Sequence, residues 1–257
     1  MRKLPSVLII DDDMISREVM ATVLTMTGYL VNTASTGDES LALLDTQSFL
    51  PDVILMDTQM PGLSGVALIQ QLRTRSRSVI YVISGSQAPD SVIAAADGFL
   101  LKPIGPEALH GVLQKHALGS WVSAPQASRP QPDLVPPVIN RKTLAQLRDM
   151  MKESAVREIY AAITADIAKR RILLEKALDE EDHVAIRRLG HSIKGGCGMA
   201  GALELARVGA LIEAGSDELE YIRSMLPVFE SATRNLQRML DAEFPPQGTA
   251  PADEESR

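Results

Sequence analysis

The sequence predicts two domains of different class, an α/β doubly wound five-stranded parallel sheet followed by an all-α four-helix bundle. Three observations predict it. Short aliphatic runs alternate with helical stretches at the start of the chain, a polar proline-rich stretch interrupts that rhythm, and beyond it no strand pattern returns. The 257 residues give room for two domains of ordinary size. With 45% hydrophobic and 23% charged residues, the chain has enough apolar material to build both cores.

In chain order, residues 7–10, 52–56 and 78–83 are compact and aliphatic, as strands buried on both faces should be. Residues 29–34 and 98–101 are weaker strands in the same rhythm. Helical stretches fall near residues 15–27, 37–46, 65–73, 91–95 and 106–117. Five strands alternating with five helices call for a parallel sheet wound on both sides, spanning residues 1–120. Residues 121–137 hold Pro125, Pro130, Pro132, Pro136 and Pro137 among Ser, Gln and Ala, which reads as a flexible, semi-extended linker. Residues 138–244 carry helical patterns near 141–150, 154–178, 182–199, 202–214 and 217–240, with Pro227 expected to kink or divide the last. Long helices with short connections make an antiparallel bundle. Residues 245–257 are polar and proline-containing, and read as a disordered tail.

Several function classes are disfavoured. A net charge of −7 lacks the basic face of a nucleic-acid binder, and no apolar run approaches the ~18 residues that span a bilayer. The apolar segment at the N-terminus is cut short by three aspartates and has no cleavage site, so it is not read as a signal peptide. The single cysteine, Cys197, excludes an internal disulfide and fits a reducing cytoplasm. A cytoplasmic protein is expected, without membrane insertion or nucleic acid; the oligomeric state stays open.

In a doubly wound sheet, functional residues gather beyond the carboxyl ends of the strands. Here those ends read Asp11-Asp12-Asp13, Asp57-Thr58-Gln59-Met60-Pro61-Gly62, Ser84-Gly85 and Lys102-Pro103. Singly, each has a plain structural reading: acidic residues before a helix are often N-caps, and Lys-Pro is usually a turn. Together they place carboxylates, a hydroxyl and an ammonium in one pocket. Clustered carboxylates repel unless a cation neutralises them, and oxygen ligands with room for water suit Mg²⁺. A site of this kind could let Asp57 act as nucleophile toward a phosphoryl group, with the metal, Ser84 and Lys102 neutralising its oxygens.

These stretches, with Asp97-Gly98-Phe99-Leu100-Leu101-Lys102-Pro103, closely resemble the response-regulator receiver family over roughly residues 4–118. The resemblance implies a flavodoxin-like sheet of order 2-1-3-4-5. It also implies Mg²⁺ on Asp11, Asp12, Asp57 and the main-chain carbonyl of Gln59, with phosphate accepted by Asp57. Ser84 and Lys102 would contact the phosphoryl oxygens, and Phe99 would be the aromatic switch residue. The sequence departs mildly from the family pattern, with Asp13 where Glu is common and Ser84 where Thr is common.

In the second half, Ile186, Leu189, Ile193, Cys197 and Ala200 mark the buried stripe of one helix. At ~100° per residue His191 lies about 200° from Leu189 and from Ile193, so it points away from that stripe as an exposed imidazole, with Arg187 and Lys194 on its face. Gly190, Gly195, Gly196 and Gly198 should each cost about 1 kcal/mol relative to Ala in a helix. Such a cost is tolerated where a neighbouring helix or a docking partner must come close. An exposed neutral imidazole is a competent nucleophile toward a phosphoryl donor. The run His191-Ser192-Ile193-Lys194-Gly195-Gly196 resembles the histidine phosphotransfer (HPt) family over roughly residues 138–240. By that resemblance His191 is a phosphoacceptor, and Lys194 helps shape the docking surface. His110, His116 and His183 read as surface residues, Cys197 as a small core residue, and Met20 and Met150 as core filling.

Nothing resembles an ATP site, so the chain would accept and pass on phosphate without drawing it from ATP. The expected partners are a sensor or hybrid histidine kinase and a downstream response-regulator receiver. The leading reading is a phosphorelay intermediate. A second is a phosphorylation-controlled interaction switch in which the receiver gates access to the HPt surface, and a third is a phosphate sink. The linker permits contact between Asp57 and His191 of one chain without requiring it.

Overall fold

The structure, a computed structural model, describes residues 5–46, 48–85, 88–102, 104, 109, 111–113 and 136–245. The linker, the tail, His110, His116 and most of the helical stretch expected at 106–117 lie outside the described residues. Leu109 and residues 111–113 of that stretch are helical.

Five parallel strands, β1 (Ser6–Ile10), β2 (Leu30–Ala34), β3 (Val53–Asp57), β4 (Val79–Ser84) and β5 (Gly98–Leu101), are ordered β2-β1-β3-β4-β5. Helices α1 (Met14–Met26), α2 (Gly37–Asp45), α3 (Gly65–Arg75) and α4 (Asp90–Ala95) connect them. β1 and β3 are buried along their whole length, whereas β2 and β5 at the sheet edges are partly exposed. That exposure explains why the edge strands carry the weaker aliphatic pattern. One face of the sheet buries Leu8, Ile10, Ile54 and Met56 against Leu41, Leu68 and Leu72 of α2 and α3. The other face meets α1.

The second half is helical: α5 (Arg141–Met150), α6 (Glu153–Asp179), α7 (His183–Met199), α8 (Leu203–Ala214) and α9 (Leu219–Glu243). The last four pack together, with α7 against α8 the most extensive pairing. Asn140 caps α5 through the Lys142 and Thr143 amides. Gly201, in the left-handed region at φ 75°, ends α7 while the Ala202 amide returns to the Cys197 carbonyl at 2.8 Å. Of the two outcomes expected at Pro227, a kink or a division, the division does not occur: α9 runs through the proline as one helix. Ile222, Met225, Phe229, Ala232, Leu236 and Leu240 bury a stripe on both sides of the proline. Burial of that stripe outweighs the ~3 kcal/mol that proline costs inside a helix.

The two halves are in contact. α1 packs on α7, with α5 and α6 alongside, and a single hydrophobic cluster runs from Val7, Ile15 and Val19 to Ile193, Cys197 and Met199.

Candidate functional site

Strand register brings the four chemically active strand ends level. Ile10 pairs with Met56, Asp57 with Ile83, and Ser84 with Leu101, so Asp11, Asp57, Ser84 and Lys102 emerge side by side. Asp11, Asp12 and Asp57 each offer a carboxylate oxygen within 4.8 Å of the others. The Lys102 ammonium, itself buried, donates to Asp57 Oδ2 at 2.6 Å and to Asp11 Oδ2 at 2.8 Å. Asp57 Oδ1 accepts from the Gln59 amide at 2.9 Å, which folds the β3–α3 loop over the cluster. Ser84 is fully buried at the end of β4, and Phe99 lies half-buried on β5 against the aliphatic face of the sheet.

One ammonium does not balance three carboxylates. Burial pushes the Asp11 carboxyl up to about 6, with Asp57 and Asp13 adding to the rise and Lys102 opposing it. Asp12 is raised by burial and by the same two neighbours. Lys102 is held charged: burial would lower its pKa, but Asp11 and Asp57 outweigh that. The excess negative charge and the convergent oxygens are what a small divalent cation neutralises, so the residues present fit Mg²⁺.

His191 projects from α7 opposite the buried stripe, as its helical phase requires, yet its side chain is only 13% exposed. The expectation of a bare imidazole is therefore corrected. Glu213 bonds the ring, and Gly85 packs close to it, where an added Cβ would stand 2.9 Å from the ring Cε1. Nδ1 bonds Glu213 Oε1 at 2.8 Å, and Lys194 Nζ donates to Glu213 Oε2 at 3.0 Å. Burial would raise the Glu213 carboxyl, but the hydrogen bonds from His191 and Lys194 prevail and hold it below its ordinary value. An ionised carboxylate only accepts, so Nδ1 is the donor in this bond, and it is the neutral ring in this tautomer whose Nε2 offers a lone pair. Arg187, the other cation on this face, pairs with Asp217 at 3.0 Å instead.

Glycines set the reach of α7. A Cβ on Gly190 would stand 2.4 Å from the Glu213 amide nitrogen, and one on Gly209 of α8 would stand 2.4 Å from the Lys194 nitrogen. The two helices thus touch through their backbones, and that contact sets Glu213 beside His191. A cavity of about 830 Å³ opens between the domains, and Asp12, Asp57 and Lys102 line it together with His191 and Glu213. Both predicted nucleophiles therefore border one space. His183 is exposed and bonds the Ser216 carbonyl, Cys197 and Met20 are buried, and Met150 is partly buried.

Sequence reading missed Glu213, which lies 22 residues from His191 on another helix. The available signal was Gly209, a glycine inside an otherwise good helical run. It also missed Arg170, although Arg170 and Asp166 fall on the apolar stripe of α6 that holds Ile163, Ile167 and Leu174. Charged residues at helical spacing on a buried stripe announce a buried ion pair.

The parallel sheet with its strand-end carboxylate cluster, followed by a helical domain, has the make-up of two-component signalling domains. Residues 7–114 match the response regulator receiver domain and residues 158–242 match the Hpt domain, so the chain carries a receiver followed by an Hpt domain. It is similar to the nitrate/nitrite response regulator protein NarL of Escherichia coli (strain K12), at 36% identity over 124 residues covering 46% of this chain and 56% of that one. It is also similar to the probable transcriptional regulator ycf27 of Guillardia theta, at 36% over 107 residues covering 40% and 41%. The chain spans about half the length of the curated relatives it matches. Among solved structures, the chemotaxis response regulator CheY4 of Vibrio cholerae is 32% identical, with 44% of this chain and 98% of that one covered at a TM-score of 0.40. The response regulator protein TrrA of Thermotoga maritima, in complex with Mg(2+)-BeF, is 27% identical, with 43% and 97% covered at a TM-score of 0.39. Among the described residues, no helix is long and apolar enough to cross a membrane.

Proposed function

We propose that this chain is a phosphorelay intermediate that accepts a phosphoryl group on Asp57 and exchanges phosphate through His191. The observation that carries the reading is the shared cavity, with the Asp57–Lys102 pair on one wall and the Glu213-oriented His191 on the other. In the receiver step Asp57 Oδ attacks the phosphorus of the donor's phosphohistidine and the P–N bond breaks, its electron pair returning to the donor imidazole, while Ser84 and Lys102 receive the equatorial oxygens. Asp11, Asp12, Asp57 and the Gln59 carbonyl would hold Mg²⁺, which when bound neutralises charge on the transferred group. In the second step the Nε2 lone pair forms the N–P bond and the P–O bond to Asp57 breaks, its electron pair staying on the carboxylate. The proton on Nδ1 remains in its hydrogen bond to Glu213, whose negative charge offsets the imidazolium so formed. Lys194 holds Glu213 in place, and Phe99 reports the state of Ser84 to the β4–β5 face. The donor is a sensor or hybrid histidine kinase and the recipient a response-regulator receiver, in the cytoplasm. The domain limits are 1–120 and 138–244.

A second reading, the interaction switch, draws support from the covering of His191 by Gly85 and Glu213. Labelling with acetyl phosphate separates the two. The relay requires acid-labile, alkali-stable label on His191 that disappears in both Asp57→Ala and His191→Ala. Label confined to Asp57 in every mixture leaves the switch, and no label on Asp57 sinks both.

The cation site makes a separate prediction about pH. The folded Asp11 carboxyl binds its proton up to about pH 6, well above the ordinary aspartate range. Stability from that protonation is present below the unfolded value and is lost as pH rises through about 6. A cation needs the deprotonated form. Addition of Mg²⁺ should therefore raise Tm more at roughly pH 7.5 than at roughly pH 5, as calorimetry would read. Equal shifts at the two pH values would rule out Asp11 as a ligand.

A further inference from the structure

The turn between β2 and α2 stands outside the carboxylate cluster, yet both segments that carry the cluster are fastened to it. On one side the link is Arg17 of α1. Its Nη1 donates to the main-chain carbonyl of Asp11 at 2.6 Å. The Asp11 amide in turn donates to the Ala34 carbonyl, at the end of β2, at 3.1 Å. The main chain at Asp11 is thus held at both its amide and its carbonyl, whereas its carboxylate is left to Lys102 and the Asp13 amide. Asp13 faces elsewhere, capping α1 through the Ser16 amide and pairing with Arg170.

Arg17 also acts on the turn itself. Thr36 Oγ1 accepts from the Glu39 amide at 3.1 Å, while Glu39 Oε2 accepts from the Ser35 amide at 2.6 Å and from the Ser35 hydroxyl at 2.7 Å. The Ser35 bonds hold the Glu39 carboxyl below its ordinary value, and the positive charge of Arg17 lowers it further. On the other side the link is Gly37, the buried first residue of α2. A Cβ there would stand 2.2 Å from the Leu63 carbonyl oxygen and 3.1 Å from Leu68 Cδ2. That oxygen is backbone, so it cannot turn aside, and the start of α2 rests directly on the β3–α3 loop. The same loop carries Gln59, whose amide folds back onto Asp57 Oδ1.

Mg²⁺ demands near-ideal octahedral geometry at about 2.0–2.1 Å, so small displacements of its ligands matter. Here the ligands would come from two segments, Asp11 and Asp12 before α1, and Asp57 with the Gln59 carbonyl after β3. Their carboxylates repel one another. Lys102 grips Asp11 and Asp57 from the β5 side of the sheet, and the turn after β2 grips from the opposite edge.

We propose that Arg17, Glu39 and Gly37 form a brace that sets the spacing of the two ligand-bearing segments, with Arg17 as a positioning residue for the divalent cation. The inference rests on the reading of Asp11, Asp12, Asp57 and Gln59 as the ligands. It adds that an arginine whose charge opposes a cation nevertheless favours its binding, through the Asp11 carbonyl. The sign of the effect is therefore decisive. By Coulomb interaction alone, removal of a positive charge near a dication tightens its binding. Removal of the bond that fixes the Asp11 main chain weakens it.

The test titrates full-length wild type, Arg17→Met, Arg17→Lys and Gly37→Ala with Mn²⁺, read by loss of the free-ion paramagnetic resonance signal, and then with competing Mg²⁺. Arg17→Met keeps an apolar stem but no donor, and should weaken both cations about 10-fold, as loss of an outer partner of a metal ligand does. Arg17→Lys retains a donor and the charge, and should recover to within about 3-fold of wild type. Gly37→Ala, which must push Leu63 away, should also weaken binding about 10-fold. Circular dichroism melts in EDTA check that each variant is folded, and Arg17→Met carries the test alone should Gly37→Ala fail to fold. An affinity in Arg17→Met equal to wild type, or tighter, would overturn the brace while leaving the cation site. If wild type itself takes up neither Mn²⁺ nor Mg²⁺, the reading of the ligands fails and the brace falls with it.

Discussion

Alanine at position 190 is expected to destabilise the helical domain by about 2 kcal/mol or more, although alanine is the better helix former by roughly 1 kcal/mol. The added Cβ would lie 2.4 Å from the Glu213 nitrogen, 2.8 Å from its Cα and 2.9 Å from the Gly209 carbonyl oxygen. All three are backbone atoms of α8, so no side chain can turn aside, and the helices must separate. Gly195 stands five residues further along the same helix, and its only near contact is the Lys102 Cδ at an ordinary 3.7 Å. Gly195→Ala should therefore be neutral or stabilising by up to ~1 kcal/mol. Urea unfolding of the two variants measures the contrast. Equal stabilities would mean that the backbone contact between α7 and α8 is not close in solution. Because the same contact positions Glu213, Gly190→Ala should also slow the filling of His191.

Glu213→Gln is expected to slow transfer from Asp57 to His191 by about 10- to 100-fold, or ~1.4–2.7 kcal/mol of barrier. The amide of glutamine can donate or accept, so it no longer fixes the proton on Nδ1, and it carries no charge to offset the imidazolium of the phosphorylated ring. The upper end of that range is tempered by the partial exposure of Glu213. Rapid-quench measurement of label on each residue separates the steps. Loading of Asp57 from acetyl phosphate is a control, since among the described residues the Glu213 carboxylate bonds His191 and Lys194 and not Asp57. A wild-type transfer rate in Glu213→Gln would exclude Glu213 as the positioning residue. In wild type the pH sense is set by the lowered Glu213 carboxyl. Its contribution is present above the ordinary glutamate value, persists somewhat below it, and is lost as pH falls through the depressed value.

Most of the fold was legible because its signals are local. The buried strands β1, β3 and β4 read as unbroken aliphatic runs, and the strand-end rule placed Asp11, Asp57, Ser84 and Lys102 in one pocket from their chain positions alone. His191 was legible through helical phase, which put it opposite Ile186, Ile193 and Cys197. What covers His191 was not legible, since Gly85 and Glu213 reach it from elements remote in sequence, and phase specifies a direction but no neighbour. The division allowed for at Pro227 did not occur for a related reason. The local cost of a proline is visible in sequence, whereas the stripe from Ile222 to Leu240 that outweighs it acts only after the bundle has packed. The Asp13–Arg170 pair had half a signal, a charge on an apolar stripe, but its partner could be named only from three-dimensional contact.

Cys197 carries the one thiol in the chain, and it is fully buried on α7 beside Gly196. Burial raises its thiol far above the ordinary range, with Arg170 opposing and Asp13 and Asp166 adding to the rise. A thiol reagent therefore meets almost no thiolate and almost no surface until the bundle opens. The native chain thus contains its own clock for opening of the helical domain. A cysteine introduced on the surface would be the sole fast-reacting thiol, with no native residue to remove first.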